Sequence, residues 1–112
     1  MISPQDLHGL ALALPEAAEA DHHGMSSFRV GGKIFATVPD AAHVRVMVDE
    51  GEIRALVAED PATFQEVWWG KRLSAVLVSL ERVSEAVLGE LLEEAWRRKA
   101  PVGLVRARDG AR

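Results

Sequence analysis

Ser27-Phe28-Arg29-Val30-Gly31-Gly32-Lys33-Ile34-Phe35-Ala36 is the stretch that decides how this chain folds. Phe28 and Val30 alternate with Ser27 and Arg29, the period-two pattern of a half-buried strand. Gly31-Gly32 can take the positive φ angles of a two-residue hairpin turn, because glycine has no Cβ to clash there, and Ile34 to Val38 returns as the partner strand. Pro39-Asp40-Ala41-Ala42 makes another turn. His43 to Asp49 then alternates again, with Val44, Val46 and Val48 on one face, which predicts a three-stranded meander.

Outward from that hairpin the pattern becomes helical. Upstream, Ser3 is a good N-cap with Pro4 at the first helical position and Asp6 in the first turn. Leu7, Leu10, Ala11 and Leu14 share one face, and Pro15 ends the run. Glu16 to Ser26 is acidic and rich in small residues. Downstream, Ile53, Leu56 and Val57 mark a short helix over 50–59 that Asp60-Pro61 closes. Leu73 to Leu80 reads as a fourth strand. Thr63 to Arg72 fits a loop or an irregular edge. A last helix from Val83-Ser84 to Lys99 carries Val87, Leu88, Leu91, Leu92, Ala95 and Trp96 as a broad apolar stripe facing the sheet. Glu93 and Arg97, and Glu94 and Arg98, have the acid-first spacing of helical ion pairs.

The expected fold class is therefore α+β, in two layers: an antiparallel sheet packed on one side by N- and C-terminal helices. At 112 residues the chain is read as a single domain over 1–112, with 105–112 as a basic tail. It has no cysteine, which excludes disulfides, thiolate metal sites and thiol catalysis, and makes a cytoplasmic protein the default. No stretch approaches the roughly 20 apolar residues of a membrane span, so no membrane partner is expected. The net charge of -4 argues against indiscriminate nucleic-acid binding. Its distribution is uneven, however: no Lys or Arg precedes Arg29, whereas Arg97, Arg98, Lys99, Arg106, Arg108 and Arg112 crowd the end against Asp109 alone.

The Gly31-Gly32-Lys33-Ile34-Phe35-Ala36 turn and the Leu92-Glu93-Glu94-Ala95-Trp96-Arg97 helix end, with the order of elements between them, resemble the MmcQ/YjbR family of small bacterial proteins. The similarity spans Leu7 to about Leu104. It implies a two-layer α+β fold and DNA binding by a winged surface. In that family a tryptophan often precedes the last strand; here Leu73 holds that place, and Trp68 and Trp69 sit earlier.

Three constellations invite a function. The first is the basic set Arg29, Lys33, Arg45, Lys71, Arg72, Arg97, Arg98 and Lys99. With Arg29 and Arg45 on one sheet face and Lys33 at the hairpin, these side chains could straddle a phosphate backbone. Against that, Arg97 and Arg98 have helical glutamate partners, and cations suit a helix C-terminus without any ligand. The second is Asp21-His22-His23-Gly24. Adjacent histidines in an extended segment point opposite ways, so no set of three or four ligands converges at about 2 Å, and no metal is expected. The third is Trp68-Trp69-Gly70-Lys71-Arg72, where exposed rings beside cations would suit stacking on bases. A domain with six aromatic residues needs most of them for packing, so at least one of this pair is expected to be buried.

Catalysis has no support: the serines lack a nucleophile elbow, the acids fall on solvated helix faces, and Gly31-Gly32-Lys33 is too short for a P-loop. The reading is a non-enzymatic DNA-binding protein without cofactor or metal, contacting phosphates through Arg29, Lys33, Arg45, Lys71, Arg72, Arg97 and Arg98. The alternative is a small-ligand or protein-partner module that uses a sheet face or a cleft near His22, His23, Trp68 and Trp69. Monomer and homodimer both remain open.

Overall fold

The computed structural model describes residues 1–111. The glycine turn forms as its sequence dictates, with φ of 57° at Gly31 and 78° at Gly32. It joins β2 (Met25–Val30) to β3 (Lys33–Asp40). Register shifts once, between Phe28 and Arg29: Phe28 opposes Ala36 and Arg29 opposes Ile34, which leaves Phe35 as the extra residue of a bulge. The bulge lets Phe35 and Ala36 both be fully buried. β4 (His43–Val46) follows the Asp40 turn, where Asp40 Oδ1 accepts the Ala42 N–H at 2.7 Å.

The sheet is larger than the sequence pattern predicts. Residues 18–22, expected as an acidic connection, form β1 (Ala18–His22), paired antiparallel to β2 through a His23-Gly24 turn. His23 at φ 54° and Gly24 at φ 83° give this turn the two left-handed residues that a tight hairpin needs. The stretch expected as a loop or irregular edge is likewise a strand, β5 (Phe64–Trp69), hairpinned to β6 (Arg72–Ser79). Gly70 starts that turn at φ 63°. The result is one six-stranded antiparallel sheet in the order β1-β2-β3-β4-β6-β5.

Helices cover one face. α1 (Pro4–Leu12) begins with a full capping box, Ser3 and Asp6 each accepting the other's backbone N–H. α2 (Glu50–Glu59) is capped by Asp49, and α3 (Glu85–Lys99) by Ser84. Leu88, Leu91, Leu92, Ala95 and Trp96 of α3 are buried against Phe28, Phe35, Val46 and Val76. At roughly 1.5–3 kcal/mol for each large apolar side chain removed from water, this one cluster supplies most of the drive to fold. Val87, placed in the same stripe, stays exposed. The Trp96 indole Nε1–H donates to Pro15 O at 2.9 Å, which ties α3 to the chain just after α1.

The C-terminal stretch expected as a basic tail continues as α4 (Val102–Gly110). Two ion pairs hold it to α3: Arg97 to Asp109 at 2.5 Å and Arg108 to Glu93 at 3.0 Å. The Arg108 guanidinium also lies 5.7 Å from the Trp96 ring centroid. Arg112 lies outside the described residues. No described helix is long and apolar enough to cross a membrane.

Candidate functional site

Antiparallel order places the β2–β3 turn and the β5–β6 turn at the same end of the sheet, because β2 and β5 run the same way. α3 terminates at that end too. Gly31 is packed against Pro101: a Cβ there would sit 3.0 Å from Pro101 Cδ, so the hairpin tip rests on the α3–α4 junction. Three segments distant in sequence thus converge, bringing Lys33, Lys71 with Arg72, and Arg98 with Lys99.

Lys99 reports how close these charges are. Burial pushes its ammonium below the usual lysine range, and Arg98, Lys33 and Arg72 push it further down by like-charge repulsion. Among the described residues none of Lys33, Lys71, Arg72, Arg98 and Lys99 is in ion-pair contact with a carboxylate. The negative end of the α3 dipole offsets part of this repulsion. Like charges held this close cost stability that a bound anion would restore.

Three of these cations, Arg72, Arg98 and Lys99, line a recess of about 350 Å³ together with Glu50, Met47, Trp69 and Ser74. Arg98 donates to Met47 O at 2.6 Å instead of pairing with Glu94, and this fixes its guanidinium beside the recess. Glu50 is itself engaged by Arg54 at 2.9 Å.

The YjbR family model matches residues 12–98. The chain belongs to the YjbR family. Of the converging cations, Lys33, Arg72 and Arg98 lie inside the YjbR match, and Lys99 follows it directly. Among solved structures the chain is similar to the crystal structure of a Deinococcus radiodurans protein with a DUF419 domain. That similarity has a TM-score of 0.75 and 23% identity over 86% of this chain and 77% of the other, so the two share their fold. A comparison with curated proteins finds no match.

The residues singled out from the sequence divide into separate groups on this YjbR fold. Lys33, Lys71, Arg72 and Arg98 assemble at the turn end. Lys99, counted in the basic set but not among the expected contacts, is the most central member. Its signal was helical phase, since it lies three residues after Trp96 and four after Ala95, both fully buried, and so on the sheet side of α3. Arg97 does not join. It is tied to Glu93 at 3.2 Å and to Asp109, which raise its pKa and commit it to holding α4.

Arg29 and Arg45 share a face, as the row Ser27–Thr37–Arg45 shows, but it is the sheet face opposite the helices. There Arg29 Nε donates to Ser27 Oγ at 3.1 Å, and Arg45 lies against Met25 sulfur at 3.7 Å. His22 and His23 sit at the β1–β2 turn, and Trp68 and Trp69 on β5; β1 and β5 are opposite edges of the sheet, so the four do not line one cleft. The two imidazoles lie 4.4 Å apart, because the left-handed turn at His23 breaks the alternation of an extended strand.

Both tryptophans of the pair are exposed, Trp68 by 45% and Trp69 by 50%, contrary to the packing expectation. They sit at the tip of an edge strand beyond a register shift at Val67, and the buried aromatic anchors are Trp96, Phe28 and Phe35.

A second concavity, about 410 Å³, runs between α2 and α3 over Leu56, Val83 and Leu91. Its rim carries Glu52, Glu59, Glu90 and Glu94, and Glu94 is pushed above the usual carboxylate range by burial and then by Glu52 and Asp49. Arg82 also lines it, but the carboxylates outnumber that cation and the groove disfavours anions.

Proposed function

We propose that this YjbR-family protein binds DNA non-enzymatically, holding backbone phosphates at the end of the sheet where Lys33, Arg72, Arg98 and Lys99 meet. The observation that carries the reading is the convergence of Lys33, Arg72, Arg98 and Lys99 at one end of the sheet, none of them in ion-pair contact with a carboxylate among the described residues. Phosphate oxygens are the ligands that best relieve such a cluster, since each contact also releases condensed counterions. Lys71, at the turn beside Arg72, extends the same surface.

Contacts of this kind fix register on a backbone and carry no base sequence information, so binding is expected to be independent of sequence. Ser74 in the recess has its hydroxyl turned to Arg72 O at 3.1 Å, which gives it no base to act as a nucleophile. We place this activity in the cytoplasm, the default for a cysteine-free sequence.

Fluorescence anisotropy of a labelled random-sequence DNA, titrated at low and at physiological salt, tests the reading. Micromolar binding that weakens steeply with salt supports it. No binding at low salt overturns it.

A further inference from the structure

Phosphate contact alone would be served by exposed cations on a convex surface, yet here Arg72, Arg98 and Lys99 line a recess with an indole in its wall and Glu50 beside them. Trp69 and Arg72 face each other directly across the β5–β6 hairpin, so the ring and the guanidinium lie on the same side of a two-residue turn. The neighbouring Trp68 is occupied: its Nε1–H donates to Glu66 at 3.1 Å, and the Arg54 guanidinium lies 5.8 Å from its ring centroid. Trp69 has no hydrogen-bond, ring or cation partner among the described residues, and half its surface is open.

A duplex keeps its bases stacked inside and offers only phosphates and groove edges. A single strand offers a base plane beside each phosphate, and an aromatic next to cations meets both. We infer that the recess takes single-stranded nucleic acid in preference to duplex, with one base on the Trp69 indole and the adjoining phosphates on Arg72 and Lys99. This rests on the phosphate-binding reading and names its substrate class.

The test compares four labelled probes on the intact protein at low salt: dT12, the dT12·dA12 duplex, an abasic strand of the same length, and rU12. The expected order is dT12 or rU12 tighter than both the duplex and the abasic strand. Trp69→Ala should weaken the base-bearing strands by about 5- to 150-fold, the worth of one stacked base, and leave the abasic strand unchanged. Trp69→Phe, which keeps a ring, should retain most of the affinity. Whichever of dT12 and rU12 binds better identifies DNA or RNA as the source of the strand.

Equal binding of dT12 and the abasic strand by the unmodified protein overturns the stacking inference while leaving phosphate contact intact. Duplex binding as tight as dT12 does the same. Failure of every probe overturns both readings. The abasic comparison needs no variant, so a Trp69 substitution that disturbed the hairpin could not obscure the answer.

Discussion

Replacing Lys99 with methionine keeps the stem that packs at the end of α3 and removes only the charge. If Lys33, Arg72, Arg98 and Lys99 each neutralise one phosphate, the logarithm of affinity should fall with the logarithm of salt at a slope of about 3.6 on duplex DNA and about 2.8 on a single strand. Between 50 and 200 mM salt, the duplex value corresponds to a loss of about 150-fold. Lys99→Met should lower the slope by about 0.7–0.9, so that the same interval costs about 40-fold on duplex. Lys33→Met and Arg72→Met should behave alike, because the three charges act on one ligand. Arg97→Met is the internal control: its guanidinium is held by Glu93 and Asp109, so its removal should leave the slope unchanged. Anisotropy titrations at four or five salt concentrations, with circular dichroism to confirm folding, read these slopes. An unchanged slope in all three cluster variants, or an equal drop in Arg97→Met, refutes the placement of the site.

Trp96→Phe should destabilise the fold by about 2–4 kcal/mol in urea denaturation, since it leaves a cavity under α3 and strips Pro15 O of its indole donor. Gly31→Ala and Gly32→Ala both force a Cβ into left-handed backbone, at about 1–2 kcal/mol. Gly31→Ala should cost more, because its Cβ meets Pro101 at 3.0 Å whereas that of Gly32 has nothing within 4 Å; equal unfolding midpoints for the two would contradict the docking of the hairpin tip. Because the folded-state pKa of Lys99 lies below 10.5, the folded protein binds fewer protons than the unfolded chain between those two values, and stability rises with pH across that window. Lys99→Met should therefore be more stable than the unmodified protein at neutral pH, by a margin that shrinks as pH approaches 10.5.

The central hairpin, the three main helices and the two-layer class were legible because each rests on strong local chemistry: Gly31-Gly32, the Ser3 and Ser84 caps, and the Leu88 to Trp96 stripe. The two edge strands were not. β1 reads Ala-Glu-Ala-Asp-His and lacks the β-branched and aromatic residues that mark a strand, because it buries almost nothing and is held by its ladder to β2. β5 leaves Gln65, Glu66, Trp68 and Trp69 exposed, so its pattern resembles a loop. At the site, the residue types were evident but their grouping was not. Helical phase puts Lys99 on the sheet side of α3, but the fate of Arg97 depends on α4, whose Asp109 captures it from twelve residues away. No local pattern announces such a pairing.

A net charge of -4 is compatible with the proposed phosphate contact because α3 divides the charges. Glu90 and Glu94 face the groove shared with Glu52 and Glu59, while Arg98 and Lys99, one turn further on, face the recess. One helical turn is about 5.4 Å, shorter than the Debye length of about 8 Å at physiological ionic strength, so the two regions feel each other. The acidic groove thus lowers the attraction of the basic end for any polyanion long enough to pass over both. It penalises least a ligand that enters the recess alone. On the proposed reading, the same opposition would weaken non-specific adhesion to long duplexes, whose rails of phosphate cannot avoid the acidic flank, and would orient an approaching strand toward the end where Lys33, Arg72 and Lys99 meet.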